Sequence, residues 1–234
     1  MTDAVGVANM ARVLGDESRA AMCLAMLDGS SWTVTELSSV AGVCMATASE
    51  HVSKLVTAQI ATEERLGRNR FVRLAGPDVA QALETFAALV APAPASSLRT
   101  VGERRRLAAA RTCYDHLAGR LGVAVMDALR SRQLVDSGAG LAVTPRGRRW
   151  FGELDLDVRA LSVRRRVLLR ECADWTERRP HLAGSLGAGL CDQFLTRQWV
   201  RRTDQTRRLE VTPPGLRALH DQLGIEPSML ELPR

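Results

Sequence analysis

"TVTELSSVAGVCMATASEHVSKL" runs from Thr33 to Leu55, and its punctuation decides the fold. Thr33 can cap a helix, with Glu36 three residues on, the spacing at which a side-chain oxygen and a carboxylate satisfy each other's free amides. Thr35 is the other candidate cap. Gly42 closes that short helix, because glycine enters left-handed backbone without a Cβ penalty. A second helix follows at once over Cys44 to Ile60, with Val52, Leu55, Val56 and Ile60 on one stripe. Two helices joined by so short a turn read as a helix-turn-helix.

Upstream, "ANMARVLGDESRAAMCLAML" (Ala8 to Leu27) has helical apolar spacing interrupted by "GDES". Gly15 ends one helix there, and Asp16 or Ser18 caps the next. Downstream, "ATEERLGRNRFVRLA" (Ala61 to Ala75) reads as strand, Gly-Arg-Asn turn, strand. "PDVAQALETFAALV" supplies a final amphipathic helix. Pro92 and Pro94 then stop helical structure, since each lacks an amide donor and restricts the residue before it. We take residues 1–95 as one domain and 96–234 as another.

Helix, helix, turn, helix, hairpin is a winged order, and residues 8–90 resemble the ArsR/SmtB transcriptional regulators. "ARVLGDESRAAMCLAML" is similar to their opening segment, Thr33 to Leu55 to their signature helix pair, and "RLGRNRFVRL" to their wing. The resemblance implies a recognition helix over Cys44 to Thr57. It would offer Met45, Ala46, Thr47, Ser49, His51 and Lys54 to the major groove, where base edges are distinguishable. It implies that Arg65, Arg68, Asn69 and Arg70 of the wing meet phosphates or the minor groove. The rival reading is a winged helix that only contacts proteins. His51 is either a polar contact or surface residue, or a metal ligand or pH switch. Cys44 stands where the family has Ser or Thr, so its thiol is either an oxidation sensor or a tolerated small residue. The thiolates of the family's metal sensors are missing from "TVTEL", and the last helix lacks the Asp/His ligands of other members.

The remainder of the chain says one thing twice. "HLAGRLGVAVMDALRSRQLV" (His116 to Val135) and "HLAGSLGAGLCDQFLTRQWV" (His181 to Val200) share ten of twenty positions. Each follows an R-x-C-x-D (Arg111 to Asp115, Arg170 to Asp174) and precedes an L-x-V-T-P-x-G. The Thr-Pro pair marks a capped helix start. "LAGRLGV" echoes "LSSVAGV", so each unit reads as a degenerate winged helix, with repeats at about 104–158 and 159–234. Val123 to Val135 reads as a short, apolar helix suited to packing. The expected fold is thus mainly α with small β-hairpins: an N-terminal winged helix-turn-helix and a duplicated regulatory or dimerisation domain. The tail also looks like that of a longer ArsR subgroup.

Cys113 and Cys172 correspond between the copies, as do His116 and His181. Two thiols and two imidazoles can hold a tetrahedral zinc. Against this, two residues separate the first Cys from its His and eight separate the second pair. Cys172 also falls on a helical stripe with Leu168 and Trp175, as a core cysteine would. A structural core, a small-molecule effector pocket and a metal site all stay open. Asp115 and Asp174 read as i, i+4 partners of Arg111 and Arg170. Trp150, Trp175 and Trp199 read as core, or as the lining of a ligand pocket. The arginine runs Glu103 to Arg111, Val163 to Arg170 and Val200 to Arg208 read as solvated faces, or as contacts to phosphate or an acidic ligand.

The net charge of +6 favours an anionic partner, although the first 95 residues sum to −3 and the rest to +9. Five cysteines without a CxxC do not make a disulfide framework. We find no signal peptide, no apolar run of the roughly 18 residues a membrane span needs, and no GxGxxG, P-loop, GxSxG or HExxH. The sequence therefore predicts a cytoplasmic, homodimeric regulator of double-stranded DNA, probed by a small-molecule effector, with no cofactor other than a candidate zinc. It is not read as an enzyme. The alternative is an architectural or protein-bridging protein without operator specificity.

Overall fold

Asp16 and Thr33 do the capping that their positions require. In the computed structural model, which describes residues 3–67, 69–90, 98–138, 140–163, 165–203 and 207–230, the chain forms two compact units, Met1–Leu83 and Glu84–Arg234. The break between them falls inside a helix. Pro92 and Pro94, read above as the boundary, lie outside the described residues.

The first unit opens with α1 (Ala4–Leu14), which ends at Gly15, and α2 (Glu17–Ala25). The Asp16 carboxylate accepts from the Arg19 amide at 3.0 Å and so caps α2. A two-residue strand, β1 (Trp32–Thr33), leads into α3 (Val34–Ala41). Thr33 and Glu36 form the capping box: the Thr33 amide donates to Glu36 at 2.7 Å and the Glu36 amide to Thr33 Oγ1 at 3.2 Å. Gly42 takes φ +65°, and α4 (Met45–Thr57) follows with Cys44 at its cap position. The wing is β2 (Ala61–Leu66) against β3 (Asn69–Leu74), antiparallel, with Leu66 opposite Asn69; β1 pairs with the other edge of β3. The buried stripe of α4 (Ala48, Val52, Leu55) is on a helix that packs on α2 and α3, whose Met22, Cys23 and Leu37 are also buried. This is a winged helix-turn-helix. Next, α5 (Pro77–Leu89) runs from the first unit into the second.

The second unit has one element order twice. After α6 (Leu98–Ala109) come the hairpin β4 (Arg111–Cys113) and β5 (His116–Ala118), helix α7 (Gly119–Ser131), the hairpin β6 (Val135–Asp136) and β7 (Ala142–Val143), and α8 (Pro145–Glu153). After α9 (Val158–Ser162) come β8 (Arg170–Ala173) and β9 (Pro180–Ala183), α10 (Gly184–Thr196), β10 (Val200–Arg202) and β11 (Leu209–Val211), and α11 (Pro213–Ala218). Thr144 and Thr212 cap α8 and α11 by accepting from Gly147 and Gly215 at 2.9 and 3.1 Å.

Several local readings change. "LAGRLGV" is not a helix-turn like "LSSVAGV"; His116–Ala118 is a strand, and the helix begins at Gly119. That helix runs 13 residues, the same length as Val123 to Val135 but starting four residues earlier, with both its faces largely buried. Cys172 lies on strand β8 rather than on a helical stripe. The packing is reciprocal: α7 lies on β9, and α10 on β5. Trp150 and Trp199 belong to the shared core, each edge-on to a phenylalanine (Phe151 and Phe194), while Trp175 lies under the Arg111 guanidinium. Among the described residues, no helix is long and apolar enough to cross a membrane.

Candidate functional site

Two places carry chemistry, one in each unit. In the first, α4 turns a polar face outward. Buried Ala48, Val52 and Leu55 fix the helix rotation, so Ala46, Glu50, Ser53, Lys54 and Thr57 project the other way. Met45 is about half exposed at the first turn, and Thr47 and Ser49 flank the face, half-buried. The exposed side chains line an open groove shared with Asn9 and Arg12 of α1.

His51 does not join them. It is buried, on the same stripe as Ala48 and Leu55, and its Nδ1 lies 3.2 Å from Arg19 Nη1. The ring packs α4 on α2 and is withdrawn from any groove. On the wing, Arg65 and Asn69 are exposed, and Arg68 lies outside the described residues. Arg70 is already engaged: it pairs with Glu63 and donates to Ser49 Oγ at 3.0 Å and Ser53 Oγ at 3.3 Å. It ties the wing to α4. Ser53 and Arg12 escaped the sequence reading. Helical spacing from Ala46 and Ser49 points to Ser53, but nothing in the sequence places α1 beside α4.

Cys44 does not cap α4 through its side chain. Its sulfur sits 3.2 Å from Thr47 Oγ1, and the Thr47 hydroxyl and amide hold the thiol below its ordinary range.

In the second unit, Cys113, His116, Cys172 and His181 come together, all buried, with one ligand atom from each within 4.8 Å of the others. The unequal spacings are a matter of loop length. Cys113 is the direct cross-strand partner of His116 on β4–β5, and Cys172 that of His181 on β8–β9. The first hairpin turns at Tyr114 and Asp115; the second carries six residues in its loop, from Asp174 to Arg179. The two sulfurs are 3.7 Å apart and the two Nε2 atoms 3.2 Å apart.

A carboxylate stands behind each ring. Asp115 Oδ1 lies 3.1 Å from His116 Nδ1, and Asp174 Oδ2 lies 3.2 Å from His181 Nδ1, somewhat off the line of a formed hydrogen bond. Neither carboxylate is an i, i+4 partner of its own arginine. Asp115 pairs with Arg166, and Asp174 with Arg111 of the other repeat. Burial works against charge at Asp115, but His116 and Arg166 outweigh it and hold the carboxyl at about 2. Burial is likewise outweighed at Asp174, by His181 and Arg111, and the carboxyl is held well down. It is outweighed again at His181, where Asp174 and Cys172 raise the imidazole to about 9. The thiol–thiol contact lowers Cys172, and it joins burial in raising Cys113. The cluster therefore favours thiolate character at Cys172.

No family model matches the chain. It is 34% identical over 221 residues to YdfF of Bacillus subtilis (strain 168), an uncharacterized HTH-type transcriptional regulator, covering 94% of this chain and 98% of the relative. Three solved structures share 20% identity with it: the homodimeric winged helix-turn-helix domain of Mb0332 from Mycobacterium bovis, a possible ArsR-family transcriptional regulator; reduced HlyU from Vibrio cholerae; and Rv0081 from M. tuberculosis. They cover 38%, 38% and 44% of this chain and 86%, 92% and 98% of their own, with TM-scores of 0.35, 0.34 and 0.35.

Proposed function

We propose a function on one premise: this chain belongs to the family of HTH-type transcriptional regulators. It is a DNA-binding regulator, and in our reading an ArsR-type repressor that works in the cytoplasm as a homodimer. The observation that carries DNA readout is the outward face of α4. Ser49, Ser53 and Lys54 stand beside an exposed wing, opposite the stripe that anchors the helix. Short polar side chains at the start of such a helix can reach base edges, while Lys54 and Arg65 suit phosphates. Thr47 and Met45 flank the same face. His51 has no place in this interface.

Two copies of α4 would enter successive major grooves about 34–36 Å apart. The second unit is, in this reading, a duplicated regulatory and dimerisation module; the shared ten of twenty residues and the repeated element order support duplication. An effector releases the repressor by favouring a spacing of the two helices that DNA cannot accept.

Binding-site selection with the purified full chain tests the reading. A short palindrome, bound orders of magnitude more tightly than random duplex at fixed salt, is the expected result. Equal binding to every duplex, with one salt slope, would instead identify an architectural or bridging protein.

A further inference from the structure

We propose that Cys113, His116, Cys172 and His181 bind one Zn2+ ion in a closed tetrahedral site that clasps the two repeats of the second unit together. Two edges of the cluster match that geometry before any metal is invoked, while the four ligand atoms as a set span up to 4.8 Å, so the thiol–imidazole separations must draw in by about 1 Å on binding. Zn–S bonds near 2.3 Å and Zn–N bonds near 2.0–2.1 Å give tetrahedral edges of about 3.8 Å between sulfurs and about 3.3–3.4 Å between nitrogens. The observed edges are 3.7 and 3.2 Å.

The orientation of the rings points the same way. Each Nδ1 faces a carboxylate, so the proton of a neutral imidazole belongs there and the Nε2 lone pair points inward. With both rings in that form, the two Nε2 atoms, 3.2 Å apart, turn their lone pairs toward one point, where a single cation would be held by both. Carboxylates behind ligating histidines are the usual outer support of a zinc site, fixing tautomer and ring direction. Ala118 and Ala183 pack around the sulfurs and leave the cluster walled by small apolar groups. Four protein ligands, all buried, leave no open position for substrate, which makes the site structural rather than catalytic.

Each hairpin donates one thiol and one imidazole, so neither repeat completes the site alone. Tight packing holds the rings in place. A Cβ on Gly122 of α7 would come within 3.3 Å of His181 Cβ, and one on Gly187 of α10 within 3.5 Å of His116 Cβ. Each repeat's helix thus backs the other repeat's ligand.

The test uses the full chain, reduced and stripped by chelator, then titrated with Co2+ and Zn2+. We expect saturation at one Co2+ per chain, with the intense visible bands of tetrahedral cobalt and a thiolate-to-cobalt charge-transfer band. Zn2+ should bleach both. Cys172→Ser and His181→Gln should weaken binding at least tenfold, while Cys44→Ser should leave stoichiometry and spectrum unchanged. If a ligand variant fails to fold, the unmodified chain's cobalt spectrum decides. Absence of one-to-one binding, a weak octahedral spectrum without charge transfer, or a Cys113–Cys172 disulfide in metal-free protein isolated under reducing conditions would each overturn the proposal.

Discussion

Arg111 and Asp174 form an ion pair across the two repeats, Nη2 to Oδ1 3.0 Å, with both side chains fully buried. The guanidinium also donates to the Leu107 carbonyl and to Thr176 Oγ1. The carboxylate accepts from the amides of Gly119, Thr176 and Glu177. Removing either partner strands a charge in the interior, which typically costs about 3–5 kcal/mol. Asp174→Ala should sit at the upper end of that range, because three backbone donors lose their acceptor with it. Arg111→Met should sit lower, since the three amides and His181 still face the Asp174 carboxylate. Urea unfolding of the two variants checks this ordering; a loss under about 1 kcal/mol for Asp174→Ala would show that the pair does not hold the repeats together.

A second expectation concerns close approach. A Cβ at Gly122 would lie 2.5 Å from the Leu117 carbonyl oxygen, and one at Gly187 would lie 2.6 Å from that of Leu182. Both obstacles are backbone and cannot swing aside. Gly122→Ala and Gly187→Ala should each cost about 1–3 kcal/mol by overpacking, despite alanine's better helix propensity. Gly152→Ala, where the same added atom meets nothing within 4 Å, is the control and should be near neutral or stabilising. Thermal unfolding of the three variants side by side separates crowding from propensity.

The first unit was legible because its signals are local. A capping box, a left-handed glycine and a Gly-Arg-Asn wing turn are each written within a few neighbouring residues, although Asn69 proves to be the first residue of β3. The resemblance misplaces His51 on the outward face, although its spacing carries the answer: it lies three residues after Ala48 and four before Leu55, on the buried stripe. The second unit hid its hairpins. Strands β4 and β5 are three residues each and buried throughout, so no polar alternation marks them. Without the hairpins, the Cys–His spacings of two and eight looked incompatible. Cross-strand register makes them equivalent, and register depends on where the turn sits, which spacing along the chain does not report.

DNA contacts should separate by kind. Lys54 and Arg65 are exposed cations on α4 and the wing, the proposed DNA-binding elements. Lys54→Ala and Arg65→Ala should weaken binding to every duplex alike and reduce the salt slope by about 1 each. Ser49 differs: its oxygen accepts from Arg70, leaving the hydroxyl proton to meet a base acceptor. Ser49→Ala should relax preference at one base pair by about 1–3 kcal/mol with little change in salt slope. Competition binding over a salt series reads both quantities. Uniform loss in the serine variant would move that contact from base to backbone.

The five cysteines should differ in reactivity by place. Cys44 is exposed at the first residue before α4, where the amides at the helix start and the Thr47 hydroxyl favour thiolate. Cys23 and Cys191 are buried, and burial pushes both thiols up to about 12. Thiolate is the species that alkylating reagents attack, so iodoacetamide at neutral pH should modify Cys44 first and leave Cys23 and Cys191 untouched until the chain unfolds. Thr47→Val removes the neighbouring hydroxyl, which should raise the Cys44 thiol toward its ordinary range and slow its labelling without exposing any other cysteine. Because the adduct stands at the mouth of the proposed groove-entering helix, labelling of Cys44 should also abolish operator binding in step with its own time course. Peptide mapping alongside a DNA-binding assay follows both. Labelling of Cys23 or Cys191 at a comparable rate in folded protein would mean that the first or the second unit, respectively, opens far more readily than its packed interior implies, and DNA binding that survives complete Cys44 modification would remove the start of α4 from the interface.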